Sequence, residues 1–183
     1  MAQADTAKSA LERVRSLHIG SARDAEAAMH TTRLLATDEQ GALTPVAKRF
    51  TRTGETRGVM LIGGPGSGKS HLLERTLSKL TVLQDGEYGR PRYLGCSVPS
   101  PATFKSMTLA LLSESGYPDA NPRKEAWSLW QDLRHRLQLL GISVLWIDEA
   151  QDLFCADRKL ILRALKSLMQ GDDAVIVVLS GTE

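Results

Sequence analysis

The sequence predicts a three-layer α/β fold: a parallel sheet with helices on both faces, preceded by a helical N-terminal extension. Three observations carry this. Short apolar runs of strand length alternate with longer segments whose leucines recur at helical spacing. One run, Val59 to Ile62, opens into a glycine-rich loop and then a helix. Another, Val144 to Ile147, ends in two adjacent carboxylates, Asp148 and Glu149. Strands that each lead into a helix return to the same edge, which makes the sheet parallel and covers both of its sides.

A chain of 183 residues holds one such domain with a real core and is too short for two comfortable ones. Its 42% apolar and 24% charged residues are those of an ordinary soluble globular protein. A net charge of +2 gives no overall reason to expect nucleic acid, so any such contact has to come from a local patch. No stretch approaches the roughly 18 apolar residues of a membrane span. Residues 1–10 are polar and alanine-rich, without a signal-peptide core. The two cysteines, Cys96 and Cys155, lack CxxC spacing and read as free thiols in a reducing compartment. A cytoplasmic location is the expectation.

Taken in order, residues 5–17 place Ala7, Leu11, Val14 and Leu17 at helical spacing. Ser21 and Asp24 form a capping-box-like start to a second helix, with Ala25, Ala28, Met29, Thr32 and Leu35 along one side. Both are weakly apolar, as expected of an extension packed on something larger. Residues 41–58 form a turn-rich connector with Pro45 and the basic run Lys48, Arg49, Arg52 and Arg57. The chain thus divides into an extension and connector at 1–57 and a core at 58–183. Val59 to Ile62, a continuous apolar run closed by glycines, predicts a strand buried on both faces. After the loop comes a helix with Leu72, Leu73, Thr76, Leu77 and Leu80. Tyr93 to Val98 is a second strand. Ser100-Pro101 and Asn121-Pro122 read as cap-plus-proline starts of two helices. The first carries Phe104, Met107, Leu111 and Leu112; the second carries Ala126, Trp130, Leu133, Leu137 and Leu140 and stops at Gly141. Ile142 to Ile147 is a third strand. Asp157 caps a helix with Leu160, Ile161, Ala164, Leu165 and Leu168 on one face and Gly171 at its end. Ala174 to Leu179 is a fourth strand, followed by Ser180, Gly181, Thr182 and Glu183.

The loop Gly63-Gly64-Pro65-Gly66-Ser67-Gly68-Lys69-Ser70 matches GxxxxGK[ST] between a strand and a helix, where a phosphate cradle requires it. Its glycines let backbone N–H groups point into a concave nest, and the helix N-terminus adds partial positive charge. The pattern predicts a P-loop NTPase that binds ATP. Lys69 reaches the β- and γ-phosphates, Ser70 ligates Mg²⁺, and His71 follows on the surface of the first turn, at the end of the nucleotide-facing segment. Asp148 at a strand's carboxyl end holds the same Mg²⁺ through water, and Glu149 is the base that deprotonates the attacking water. The adjacent acids favour hydrolysis over transfer to a substrate hydroxyl, and no NKxD-type guanine-reading motif is present.

In such sheets the fourth strand runs beside the P-loop strand, and just past it Ser180, Thr182 or Glu183 is placed to touch the γ-phosphate or the lytic water, with Thr182 the chosen candidate; a cap for a following helix is the plainer reading. Gln151 either couples Glu149 to a neighbouring subunit or to DNA, or is a surface glutamine. Trp127 and Trp130, three apart on a helix, read as packing rather than base-stacking residues. The run Lys48 to Arg57, with Arg90 and Arg92 as possible additions, is either a DNA-phosphate contact or a solvated face.

With these motifs the chain resembles the AAA+ branch of the ASCE-type P-loop ATPases. Within that branch it is similar to the TniB/TnsC family of transposition ATPases, relatives of the phage MuB protein. The resemblance covers most of the chain. It rests on the two N-terminal helices, LIGGPGSGKS, the long helix running into VLWIDEAQDLF, the helix LILRALKSLMQ and the strand VIVVLSGTE. ExeA-like secretion ATPases share the DEAQ element and general layout, so an ATPase of a secretion or assembly machine is one alternative; a nucleotide-gated interaction module with little turnover is another. The resemblance implies an ATP-dependent, DNA-binding regulator of transposition that assembles as a ring or filament on double-stranded DNA and recruits a DDE transposase. Lys69, Ser70, Asp148 and Glu149 fall on the family's nucleotide-site positions, and Ser180 to Glu183 on its sensor-1 region. Such a module continues with a fifth strand, an arginine finger and a helical lid bearing sensor 2. The chain is therefore expected to be a fragment or a short member, with hydrolysis depending on an arginine supplied across subunits.

Overall fold

The computed structural model describes residues 20–153 and 157–183. The first expected helix and Cys155 lie outside the described residues. Helix α1 (Ala22–Thr32) begins at the expected capping box, in which Asp24 Oδ2 accepts from Ser21 N at 2.8 Å. It stops before Leu35, which instead opens strand β1 (Leu35–Thr37). β1 pairs antiparallel with β2 (Leu43–Ala47), so an irregular hairpin stands where a connector was expected. Asp38 makes the turn, accepting from Gln40 N and Ala42 N at 3.0 and 2.8 Å. Leu34, Leu35 and Ala47 are buried, and that burial is what converts the segment into structure.

The main sheet is parallel. Its strands β3 (Val59–Ile62), β4 (Tyr93–Ser97), β5 (Val144–Asp148) and β6 (Ile176–Gly181) lie in the order β3-β6-β5-β4. β6 runs beside β3, as expected. Alternation along the strands sorts the core into two layers. Val144, Ile176 and Val178 face α2 (Lys69–Lys79) and the hairpin, where Leu73, Leu77 and Leu35 pack. Leu145 and Ile147 face α3 (Phe104–Glu114), α4 (Ala126–Leu139) and α5 (Arg158–Leu168). Phe104 and Trp130 meet there with ring centroids 5.4 Å apart.

Several local expectations are corrected. β3 is not buried on both faces: it pairs only with β6 among the described residues, and Met60 and Ile62 are 63% and 52% exposed. Ser100-Pro101 precedes α3 rather than starting it. Thr103 is the cap, accepting from Ser106 N at 3.0 Å, because Ser106 can return the bond to Thr103 N. Asn121 holds a turn instead, through Arg123 N at 2.9 Å, and α4 starts only at Ala126. Asp157 stands at the N-cap of α5, but its carboxylate accepts from Phe104 N at 2.9 Å, at the head of α3. On α5 Leu160 is exposed, whereas Ile161, Ala164, Leu165 and Leu168 are buried as expected. Trp130 is buried and Trp127 is half exposed, resting against Phe104.

Candidate functional site

Parallel strands deliver their carboxyl ends to one edge, and the sequence-predicted residues collect there. Ile62 is level with Gly181, and Ser97 with Asp148, so the loop after β3, the acids after β5 and the segment after β6 share that edge. Trp146, Asp148 and Ser180 alternate onto the same face as Val144 and Val178, the face that carries α2.

The loop from Gly63 to Ser70 curls into the head of α2. Gly66 and Gly68 take left-handed backbone angles, φ 69° and 79°, that L side chains rarely adopt. Lys69 is 9% exposed, and its ammonium donates to Gly63 O at 2.8 Å and Gly64 O at 2.9 Å, lying across the loop it belongs to. Ser67 Oγ is buried without a hydrogen-bond partner. A buried hydroxyl with no acceptor costs about 1–3 kcal/mol, and its place in a glycine-rich nest at a helix N-terminus fits a phosphate oxygen. Gly64, Pro65, Ser70 and His71 are exposed around it. Sequence reasoning missed Arg23 of α1, whose guanidinium donates to Ser67 O at 3.2 Å. No local signal marks that contact, which joins residues 44 positions apart.

At the end of β5, Asp148 is 8% exposed. Ser180 Oγ donates to its Oδ1 at 2.5 Å and accepts from Trp146 Nε1 at 2.8 Å. Ser180 is therefore turned into the sheet with its hydroxyl spent, leaving Thr182 and Glu183 as the polar side chains toward the edge. Trp146, half-buried, is a contact that the sequence marks only as an indole in an aliphatic strand, whose N–H needs an acceptor once it leaves water. Glu149 is exposed and has φ 55°, in the left-handed region, turning the chain sharply off β5 into the short 3₁₀ turn Ala150–Leu153. Its carboxylate accepts from Gln151 Nε2. Gln151 is thus not an idle surface glutamine.

The basic run does not form one patch. Arg49 turns inward, donating to Gly171 O and to Asp172 O, the latter at 2.7 Å. Lys48 and Arg57 lie against the Phe50 ring, 5.7 and 4.6 Å from its centroid. Arg92 donates to Asp85 O at 2.9 Å and Arg90 to Glu114 O at 3.4 Å. Arg52 is exposed.

Among the described residues no helix is long and apolar enough to cross a membrane, and no cluster of three or more His, Cys, Asp or Glu could by itself hold a metal. No curated protein matches the chain. The AAA domain family matches residues 52–183, from just before β3 to the last residue. With the sheet order, the glycine-rich loop and the carboxylates of β5 on one edge, the chain belongs to the AAA domain family of P-loop NTPases.

Proposed function

We propose that this protein binds ATP with Mg²⁺ and hydrolyses it, using Lys69 on the β- and γ-phosphates and Glu149 as the base toward water. The observation that carries the reading is the pairing on one sheet edge of a loop holding buried Lys69 and the orphaned Ser67 hydroxyl with a fixed Asp148 and an exposed Glu149. Backbone N–H groups of residues 63–70 cradle the phosphates, and Ser70 and Asp148 would hold the ion. Mg²⁺ supplies charge neutralisation at the phosphate oxygens. Thr182, beyond β6, is the candidate contact to the γ-phosphate. The resemblance to the TniB/TnsC family supports an oligomer on double-stranded DNA that recruits a transposase; exposed Arg52, and separately Lys48 and Arg57 on the Phe50 ring, are the cations of the run proposed to meet phosphates.

Binding and turnover separate the parts of this reading. Lys69→Ala should abolish tight binding of a fluorescent ATP analogue, and unchanged affinity would refute the nucleotide site. Glu149→Gln should keep binding and lose turnover by about 100-fold or more. Retention of duplex DNA on a filter with ATP, and its loss without ATP, is the expected DNA result. Nucleotide turnover without any DNA retention would favour a secretion or assembly ATPase instead.

A further inference from the structure

The side chain of Gln151 joins two parts of the site that the backbone keeps apart. Its Nε2 donates to Glu149 Oε2, and its Oε1 accepts from Thr182 N at 3.0 Å. Thr182 directly follows β6, whose last residue, Gly181, accepts from Gly63 N of the glycine-rich loop at 3.2 Å. A continuous path therefore runs from the phosphate loop through Gly181 and Thr182 to Gln151 and the Glu149 carboxylate. Gly181 leaves the room for it: a Cβ there would lie 2.6 Å from Gln151 Oε1 and 3.1 Å from Gln151 N. The amide is used at both ends, so it cannot turn over without breaking both bonds. Glu149 meanwhile projects from a left-handed backbone at an exposed position, where among the described residues Gln151 is the side chain that holds its carboxylate.

We infer that Gln151 is a positioning residue, which orients Glu149 for water activation and makes that orientation depend on the segment after β6. By engaging Oε2 it leaves Oε1 as the oxygen available to take a proton. The inference rests on the hydrolysis reading above, since an oriented base matters only if water attacks. Displacement of Thr182 by a nucleotide phosphate would be transmitted to Glu149 through a single amide.

The test uses Gln151→Glu, which is close to isosteric and keeps an acceptor for Thr182 N but cannot donate to Glu149. Steady-state ATP turnover should fall about tenfold or more, with KM for ATP within about twofold of wild type. Adding Gln151→Glu to Glu149→Gln should cause no further loss, because the two residues act as a unit. A kcat within about twofold of wild type, a parallel rise in KM, or additive losses would overturn the inference. A second readout needs no turnover: hydrogen exchange of the Thr182 amide by NMR. Glu149→Ala frees one end of Gln151 and should speed that exchange several-fold, whereas a Thr182 bond independent of Glu149 would be unmoved and would sink the coupling. If wild type fails to hydrolyse ATP while Thr182 exchange responds to Glu149→Ala, the hydrolysis reading falls and the coupling stands.

Discussion

Ser180 Oγ sits between Trp146 Nε1 and Asp148 Oδ1, at 2.8 and 2.5 Å, accepting from the indole and donating to the carboxylate. The relation sets the rotamer of the acid proposed to hold Mg²⁺, from a hydroxyl that is itself fully buried. Groups that orient a metal-binding carboxylate typically change metal affinity or activity by about 10- to 100-fold when removed. Ser180→Ala should therefore raise the Mg²⁺ concentration needed for half-maximal turnover about tenfold. It should also lower stability by about 1–2 kcal/mol, since the Trp146 N–H loses its acceptor. An unchanged Mg²⁺ dependence in turnover assays would show that Ser180 serves packing alone.

Trp146 also presses on β4. A Cβ at Gly95 would lie 2.8 Å from Trp146 Cε3 and 3.3 Å from Cζ3. Gly95→Ala should cost about 1–3 kcal/mol in urea unfolding, the usual penalty for overpacking. In a Trp146→Leu background the cost should shrink, giving a coupling energy of at least about 0.5 kcal/mol in the double-mutant cycle. Equal losses in both backgrounds would place the strain elsewhere.

The arginines of the basic run should separate by assay. Arg49 binds the carbonyls of Gly171 and Asp172, so Arg49→Ala should lower stability by about 1 kcal/mol, a figure reduced for its partial exposure. Arg52 is exposed, so Arg52→Ala should leave thermal unfolding unchanged. If it contacts DNA, the slope of log affinity against log salt should drop by about one. Loss of stability on Arg52→Ala, or a salt slope that does not move, would count against this division.

Cys96 gives a pH signature. Burial, and then the Glu114 carboxylate, push its thiol up to about 11. In a Cys155→Ser background, alkylation of the folded protein at pH 8 should be slow and should accelerate on unfolding. Because the folded thiol holds its proton to higher pH than the ordinary value of 9.0, its contribution to stability is complete below that value. It is lost as pH rises from there through about 11. Rapid alkylation of the folded chain would show the thiol to be accessible.

Much of the site is local in sequence. The loop from Gly63 to Ser70 and the pair Asp148-Glu149 are legible because each sits within a few residues of the strand that aims it, and strand periodicity with glycine punctuation needs no distant partner. The α/β class follows from the same alternation; the placement of β6 beside β3 does not, and is expected only from the P-loop sheet type that the loop implies. Tertiary structure decided what depends on neighbours distant in sequence. Val59 to Ile62 has the composition of an interior strand, yet among the described residues it pairs only with β6, and Met60 and Ile62 are left exposed. Leu35 and residues 43–47 became a hairpin because Leu34, Leu35 and Ala47 found an apolar layer to join. Asp157 reads as the cap of its own helix, but folding brought Phe104 N within 2.9 Å of its carboxylate. Ser180 and Gln151 are polar side chains that sequence could place near the edge but not aim. Ser180 is aimed by a donor and an acceptor on β5, and Gln151 by Glu149 and the Thr182 amide, and only packing sets those directions.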